Sequence, residues 1–381
     1  MIARHTIRSL VESQGADVAS KKLVESLKSG DLKPSEISLR TLAEGMLGEE
    51  VVSSWAHRSG GLQMLMEAGE GVTIRAFSNT LGGIITAEIE AGYKRPATIG
   101  EQLVTVKETP NRFDRIGMPS EFQADDVDVA EGAEIPTASF GERYIDTPET
   151  TKKALIVGVT QEMVVADQTG QMLEHAGTIG ELIAQRKEVK ILRGVLGLDN
   201  TYKENGTSLN TYLTSGAWIN SAALELIDHS SVETALTALS AIDAPSGGLP
   251  LLGMPDTILV PFAKSLTAQR VASSPNIEVR TASGANIVTQ ANPYANQFQS
   301  RVFSSPWIRK LLVASGLTAA QADKNWIVGD TRKAFQYRQN WPLTVTPIGP
   351  RPDKQIVAQF VASERGALAV REPRYVYKGT H

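Results

Sequence analysis

The sequence contains no cysteine in 381 residues. That absence excludes disulfides, thiolate metal sites and cysteine nucleophiles together, so stability has to come from packing and association. Long apolar runs are missing too: no stretch approaches the roughly 18 apolar residues of a membrane span. The opening MIARHTIRSLVESQGADVASKK has neither an apolar centre nor a small-residue cleavage site, so it does not read as a secretory signal. A protein retained in the cytoplasm where it is made is expected. Charge of one sign is scarce as well. The net charge is -4, too balanced for a chain that grips nucleic acid through phosphates, which needs a concentrated basic face.

The signatures of catalysis are also lacking. No GxxxxGK[ST] loop cradles a phosphate, no GxGxxG follows a strand, and no GxSxG elbow presents a serine. His5, His57, His175, His229 and His381 are too scattered for HExxH or any i, i+4 metal pair. Asp125, Asp126 and Asp128 lack the glycine and the distal glutamate of a calcium loop. No catalytic, cofactor-binding or metal-ligating residue is therefore assigned. Asn205-Gly206-Thr207 matches a glycosylation acceptor but reads better as a tight turn.

One absence is local. There is no lysine between Lys107 and Lys152, and across residues 112–150 ten acids (Asp114, Glu121, Asp125, Asp126, Asp128, Glu131, Glu134, Glu142, Asp146 and Glu149) face only Arg112, Arg115 and Arg143. Such a polar stretch cannot bury enough apolar area for its own core. With β-prone ends, QLVTV before it and KALIVGVT after it, it predicts a long hairpin held by something else, the alternative being a surface loop. Downstream the balance reverses: from Arg301 onward thirteen Lys and Arg stand against five Asp and Glu.

What remains is ordinary globular material, 41% hydrophobic and 21% charged, of a length that predicts two or three lobes. Val18, Leu23, Val24 and Leu27, then Leu39, Leu42 and Met46 after Pro34, form stripes of amphipathic helices. These helices either pack on their own chain or lie against neighbouring subunits. A long helix follows KALIVGV, with Asp167 as candidate cap, Thr178 and Glu181 in capping-box spacing and Gly194 as candidate stop. Arg186, Lys187 and Lys190 cross its apolar stripe as a basic band. From about Tyr212 an α/β lobe is expected. Ser230 and Glu233 open a helix, DTILVP is a buried strand, FAKSLTAQRVA a helix, IEVRTA and NIVTQ a strand pair, and the end of the chain is strand-rich.

VAEGAEIPTASFGERY, the β segment after it and VTQEMVVADQTGQML resemble the extended loop, returning strand and start of the spine helix in tailed-phage major capsid proteins of the Hong Kong 97 fold, particularly the Mu-like ones. EVKILRGVLG resembles the helix end that follows, and VASERGALAVREPRYVYKG resembles the family's terminal strand. ISLRTLAEGMLG and FSNTLGGIITAEIEAGY are similar to segments that precede the shell domain. The matches run collinearly through most of residues 37–380.

The resemblance implies an α+β Hong Kong 97-type capsid fold. Its parts would be a helical N-terminal arm at 1–75, the start of the peripheral domain within 76–110 and an extended β-hairpin loop at 111–152. A peripheral domain with a long spine helix would follow at 153–215, then an α/β axial domain at 216–328 and a strand-rich return at 329–381. It implies a structural, non-enzymatic protein whose hexamers and pentamers close an icosahedral shell around phage DNA. Assembly would take place in the host cytoplasm, and the shell would be the virion capsid. Partners would be the chain itself, a portal, scaffold or decoration proteins, and packaged double-stranded DNA by non-specific contact. No membrane is involved.

Inter-subunit contact is expected from Arg115, Glu121, Asp125, Asp126, Asp128 and Glu131 of the loop and Arg186, Lys187 and Lys190 of the spine helix. Some family members weld loop lysine to asparagine; this loop offers no lysine ahead of its last residue, Lys152, so no crosslinking is expected. The N-terminal segment, beginning at Met1, is expected to stay attached as a built-in scaffold or wrapping arm. Two other readings stand beside this one. An encapsulin-like compartment shell would carry a shorter loop and no helical leader, and a soluble α/β enzyme would have little reason to keep the acidic hairpin.

Overall fold

The computed structural model describes residues 4–57, 71–118, 131, 143–199, 202–216, 218–245, 253–280, 287–292, 294, 297–298 and 301–381. The chain is mixed α+β and forms two compact units, each assembled from three stretches. Residues 1–97, 152–186 and 341–365 make the first; residues 98–151, 187–340 and 366–381 make the second.

The first unit is helix-rich. Gly15 and Gly30, both at φ 82, bracket the helix Ala16–Ser29, a backbone state that glycine adopts without penalty. Of the stripe read from the sequence, Leu27 is buried but Val18 is 45% exposed, its place inside taken by Ala19. The helix Leu39–Leu47 starts at Ser38, whose Oγ accepts from Thr41 N at 3.2 Å.

Asp167, expected to cap the helix that follows it, faces this leader helix instead. Its carboxylate accepts from Ser38 Oγ at 2.8 Å, while Thr169 Oγ1 accepts from Leu39 N at 2.8 Å and donates to Asp167 at 2.7 Å. Leu39, Leu42, Met46, Trp55, Phe77 and Leu81 share one core with Val157, Val159 and Phe360 of the neighbouring strands Thr151–Thr160 and Ile356–Val370. Each such side chain contributes roughly 1.5–3 kcal/mol on burial.

The spine helix, Thr169–Val195, gives this unit its residues up to 186. There it crosses the helix Gly71–Lys94 at glycines. A Cβ on Gly180 would lie 2.1 Å from Ile89 O, and one on Gly92 would lie 2.2 Å from Gly177 O. Gly180 thus costs roughly 1 kcal/mol in helix propensity in return for a contact no larger residue permits, while a Cβ on Gly177 would meet only the side-chain ends of Glu88 and Arg95, at 3.2 Å and beyond. Arg95 ties the crossing, 2.7 Å from Glu181 and 3.2 Å from Glu88. Thr178 is not a cap: mid-helix, its hydroxyl donates back to Glu174 O at 2.9 Å.

The second unit is built on a five-stranded sheet in the order Val302–Ser305, Thr257–Pro261, Trp326–Gly329, Val376–Thr380, Ser221–Ala223. Thr257–Pro261 is buried at every position, as a continuous apolar run requires. The helix His229–Ser240 is capped by Asp228, which accepts from Ser230 N at 2.9 Å. The Ser230 hydroxyl donates to the same carboxylate at 2.6 Å, so it is occupied and the expected Ser230–Glu233 box does not form. Gly194 lies inside the spine helix, where a Cβ would fall 2.2 Å from Leu368 Cδ2; the helix stops before Gly197, at φ 71. The strands Asn276–Arg280 and Ile287–Ala291 pair antiparallel as expected, while the Ser283-Gly284 turn lies outside the described residues.

Candidate functional site

The two ends of the acidic segment pair with each other within the second unit. Arg115–Met118 pairs antiparallel with Arg143–Asp146, setting Arg115 opposite Asp146 and Met118 opposite Arg143. Ile145 then pairs with Glu204, and Lys203–Glu204 turns back on Thr207–Ser208. Asn205 at φ 49 and Gly206 at φ 80 make that reversal a two-residue turn with both central residues left-handed, the geometry Asn-Gly favours. The Asn205 side chain accepts from Tyr144 N at 3.0 Å, fastening the turn to the hairpin. Glu121, Asp125, Asp126 and Asp128 lie outside the described residues; Glu131 is described and exposed.

Two arginines clamp this root. Arg143, its side chain 11% exposed, donates to Glu204, to Glu372 at 2.6 Å and to Tyr202 Oη at 3.2 Å. Tyr202 in turn donates to Glu204 at 3.0 Å. Glu372 also accepts from Arg374 at 2.9 Å, and the Arg374 guanidinium stands 4.5 Å from the Trp218 ring.

Burial works against the charge on Arg143, but Glu372 and Glu204 outweigh it and hold the pKa above its ordinary value. Burial likewise works against Glu204, and the Arg143 hydrogen bond and charge bring its pKa below the usual carboxylate range. The Tyr202 phenol is pushed up by burial and the two carboxylates, so it stays a donor. The second clamp is Arg338, buried beside Asp114 at 2.6 Å and Thr109 Oγ1 at 2.8 Å. Its hydrogen bond lowers the Asp114 pKa against the effect of burial. Arg115 is exposed and engaged within the hairpin, 3.0 Å from Asp146 and 4.7 Å from the Tyr144 ring centre.

The basic band of the spine helix is not one surface. Arg186 is exposed, and among the described residues its guanidinium has no partner. Lys187 is 5% exposed, with its ammonium 2.6 Å from Glu101 and 5.0 Å from the Tyr337 ring. Lys190 is half-buried, donating to Thr151 Oγ1 at 2.5 Å and Gly366 O at 3.0 Å, and burial lowers its pKa. Helical spacing cannot distinguish a solvated lysine from one whose stem is drawn inward to a partner. The sequence reading missed Arg143, Arg338 and Glu372. The available signal was that arginines embedded in a lysine-free acidic stretch suit fixed multidentate bonding better than solvation.

Among the described residues no group of three His, Asp or Glu side chains could hold a metal ion. Also among them, no helix is long and apolar enough to cross a membrane.

The described ends of the acidic segment are thus paired and clamped into a packed α+β lobe. The family model described as phage capsid protein matches residues 144–379, well over half of the chain, and the chain belongs to that family. It is a capsid shell protein. No curated protein sequence matches it. Among solved structures it resembles the virus-like particle of Pyrococcus furiosus, at 12% identity and TM-score 0.42, covering 77% of this chain and 97% of that one. It also resembles the capsid of an empty GTA particle (13%, 0.46, 75% and 90%) and a protein of Mycobacterium phage Che8 (14%, 0.43, 74% and 90%). The family membership rests on the family match alone.

Proposed function

We propose that the chain is the major capsid protein of a tailed phage, a Hong Kong 97-type subunit whose hexamers and pentamers close an icosahedral shell around DNA. The observation that carries this beyond family membership is the loop root. A segment with no core of its own is fastened at its base by buried ion pairs, which makes sense when its tip works on another subunit. In this reading residues 1–75 are the arm and 76–110 lead into the peripheral domain, which holds the spine helix at 153–215. Residues 111–152 are the extended loop, 216–328 the axial domain and 329–381 the return. Interfaces of such obligate assemblies run from about 2,000 Å² upward.

The loop acids, Glu131 and the more distal Glu121, Asp125, Asp126 and Asp128, dock on a neighbour's basic surface that includes Arg186, with Arg115 stiffening the stalk. Lys187 and Lys190, committed within their own chain, take no direct part. A portal, scaffold or decoration proteins and packaged DNA are the further partners, and the chemistry of the protein is assembly rather than catalysis. Assembly takes place in the host cytoplasm. Negative-stain electron microscopy of the purified chain, with light scattering on the same sample, tests the reading: polyhedral particles or hexamer-sized rings are expected, and a monodisperse monomer that never associates overturns it.

A further inference from the structure

Ala166, Asp167 and Gln168 join the helix Gln161–Val165 to the spine helix, and Asp167 makes the elbow at φ 50. That is a left-handed state which aspartate tolerates better than most residues. Asp167 N donates to Val164 O at 3.2 Å and Gln168 N to Met163 O at 2.9 Å, which ties the elbow to the helix before it. The Asp167 carboxylate accepts from Ser38 Oγ at 2.8 Å and from Arg40 N at 3.4 Å, while Thr169 Oγ1 accepts from Leu39 N at 2.8 Å. With Ser38 Oγ accepting from Thr41 N at 3.2 Å, the first three N–H groups of the helix Leu39–Leu47 all have acceptors. Two of those acceptors belong to chain 130 and 127 positions away. A helix start without them has to find water for these groups, and Ser38 is only 3% exposed.

Packing continues the contact. The helices Leu39–Leu47 and Glu49–His57 both lie against Gln161–Val165, which leads into the elbow. Ala16–Ser29 lies against Gly71–Lys94, so closely that a Cβ on Gly83 would come 3.0 Å from Val24 Cγ2. Leu39, Leu42, Met46, Val52 and Trp55 belong to one buried core with Val164, Met172 and Phe77. Modules built to part meet through surfaces more polar than a core. Residues 4–57 share a core with the rest of their unit, and taking them away would uncover side chains such as Val164, now 0% exposed.

We infer that residues 4–57 are a permanent brace of the subunit, and that Asp167 is the positioning residue through which the brace fixes the elbow where the spine helix starts. The inference rests on the shell-forming reading above and decides the fate of the N-terminal arm. The arm stays folded on its own subunit in the finished shell; it is neither a scaffold that leaves nor a strap laid on a neighbour. Loss of the brace frees the elbow, because the Asp167 carboxylate then keeps only the Thr169 hydroxyl, at 2.7 Å.

Hydrogen exchange on the purified wild-type chain, read by mass spectrometry of peptides, tests this without any variant. Peptides from residues 37–57 should be protected to the same degree as those from 161–165, in the free subunit as well as in particles. Free exchange at 37–57 beside a protected 161–165 overturns the inference, and so does protection of 37–57 that arises only on assembly. Two variants then isolate Asp167. Asp167→Gly accepts the left-handed backbone without a carboxylate, whereas Asp167→Asn keeps an acceptor and tolerates the same φ. Glycine should speed exchange at both 37–47 and 161–165 by roughly 10-fold or more, the loss expected of a charge-assisted hydrogen bond, and asparagine should restore most of the protection. A glycine variant that matches the wild type at both segments overturns the positioning role. Subunits taken from virions should have the intact mass of a chain that retains residues 4–57; a subunit that starts beyond His57 overturns the brace. A wild-type chain that never associates overturns the shell reading alone, since exchange is read on the free subunit too.

Discussion

Arg143 donates to Glu372 at 2.6 Å across 229 positions of sequence, joining the returning strand of the loop to the segment just before the last strand. Replacing it with methionine leaves Glu204 without its ion-pair partner and Glu372 with Arg374 alone. Losing one partner of a buried pair costs about 3–5 kcal/mol. The expected result for Arg143→Met is a urea midpoint lowered accordingly, with Glu204→Gln in the same chain recovering part of it. An unchanged midpoint would mean the clamp contributes nothing net.

Gly180→Ala separates two opposing effects. Alanine gains roughly 1 kcal/mol in helix propensity, yet its methyl would sit 2.1 Å from Ile89 O. Since backbone cannot rotate out of the way as a side chain can, overpacking of the order of 1–3 kcal/mol or more should win. Denaturant unfolding should show net destabilisation; a more stable variant would show that the crossing is looser than described.

Lys378 supplies a pH test. Its ammonium donates to Leu196 O at 2.7 Å, and burial lowers its pKa to about 8. Between that value and the ordinary lysine value near 10.4, the folded state binds fewer protons than the unfolded one, so stability rises with pH through this window and carries the full cost of the buried charge below it. Thermal melts at pH 7 and 9.5 should show a smaller gain for Lys378→Met than for the wild type. Equal gains would assign the pH response to other groups.

Arg186→Glu addresses the docking of the loop. Exposed pairs are worth roughly 0–1 kcal/mol each and are screened by salt, so the variant should raise the concentration needed for assembly at low salt and blunt the salt response. Assembly indistinguishable from wild type at every salt concentration would remove Arg186 from the interface.

Lysine is absent from residues 108–151, so assembled particles boiled in detergent should run as single chains on a gel. A ladder of covalent oligomers would require a crosslink with different chemistry.

Elements dictated by local pattern were legible in the sequence. Asn205-Gly206 announces its turn because only small residues tolerate two left-handed positions in succession, and TILVP announces a buried strand because it has no polar face. Failures occurred where the deciding partner is remote. Ser230 fits a cap as well as Asp228 until a hydrogen bond uses its hydroxyl, and Gly194 looks like a stop until Leu368 occupies the space a side chain would need. Lys187 looks like part of a solvated band because its partners Glu101 and Tyr337 lie 86 positions before it and 150 after it. Composition alone marked the acidic segment as one that cannot form its own core; its clamps were not legible, since Arg143 and Glu372 have no local relationship.

Val376–Thr380 lies between Trp326–Gly329 and Ser221–Ala223 in the five-stranded sheet, with Ser221 Oγ donating to Lys378 O across 157 positions. On a ribosome that strand emerges long after both of its neighbours, so the sheet stays open while most of the chain is already outside. A nascent subunit therefore cannot close this sheet before Val376–Thr380 has emerged, however early its other strands are available.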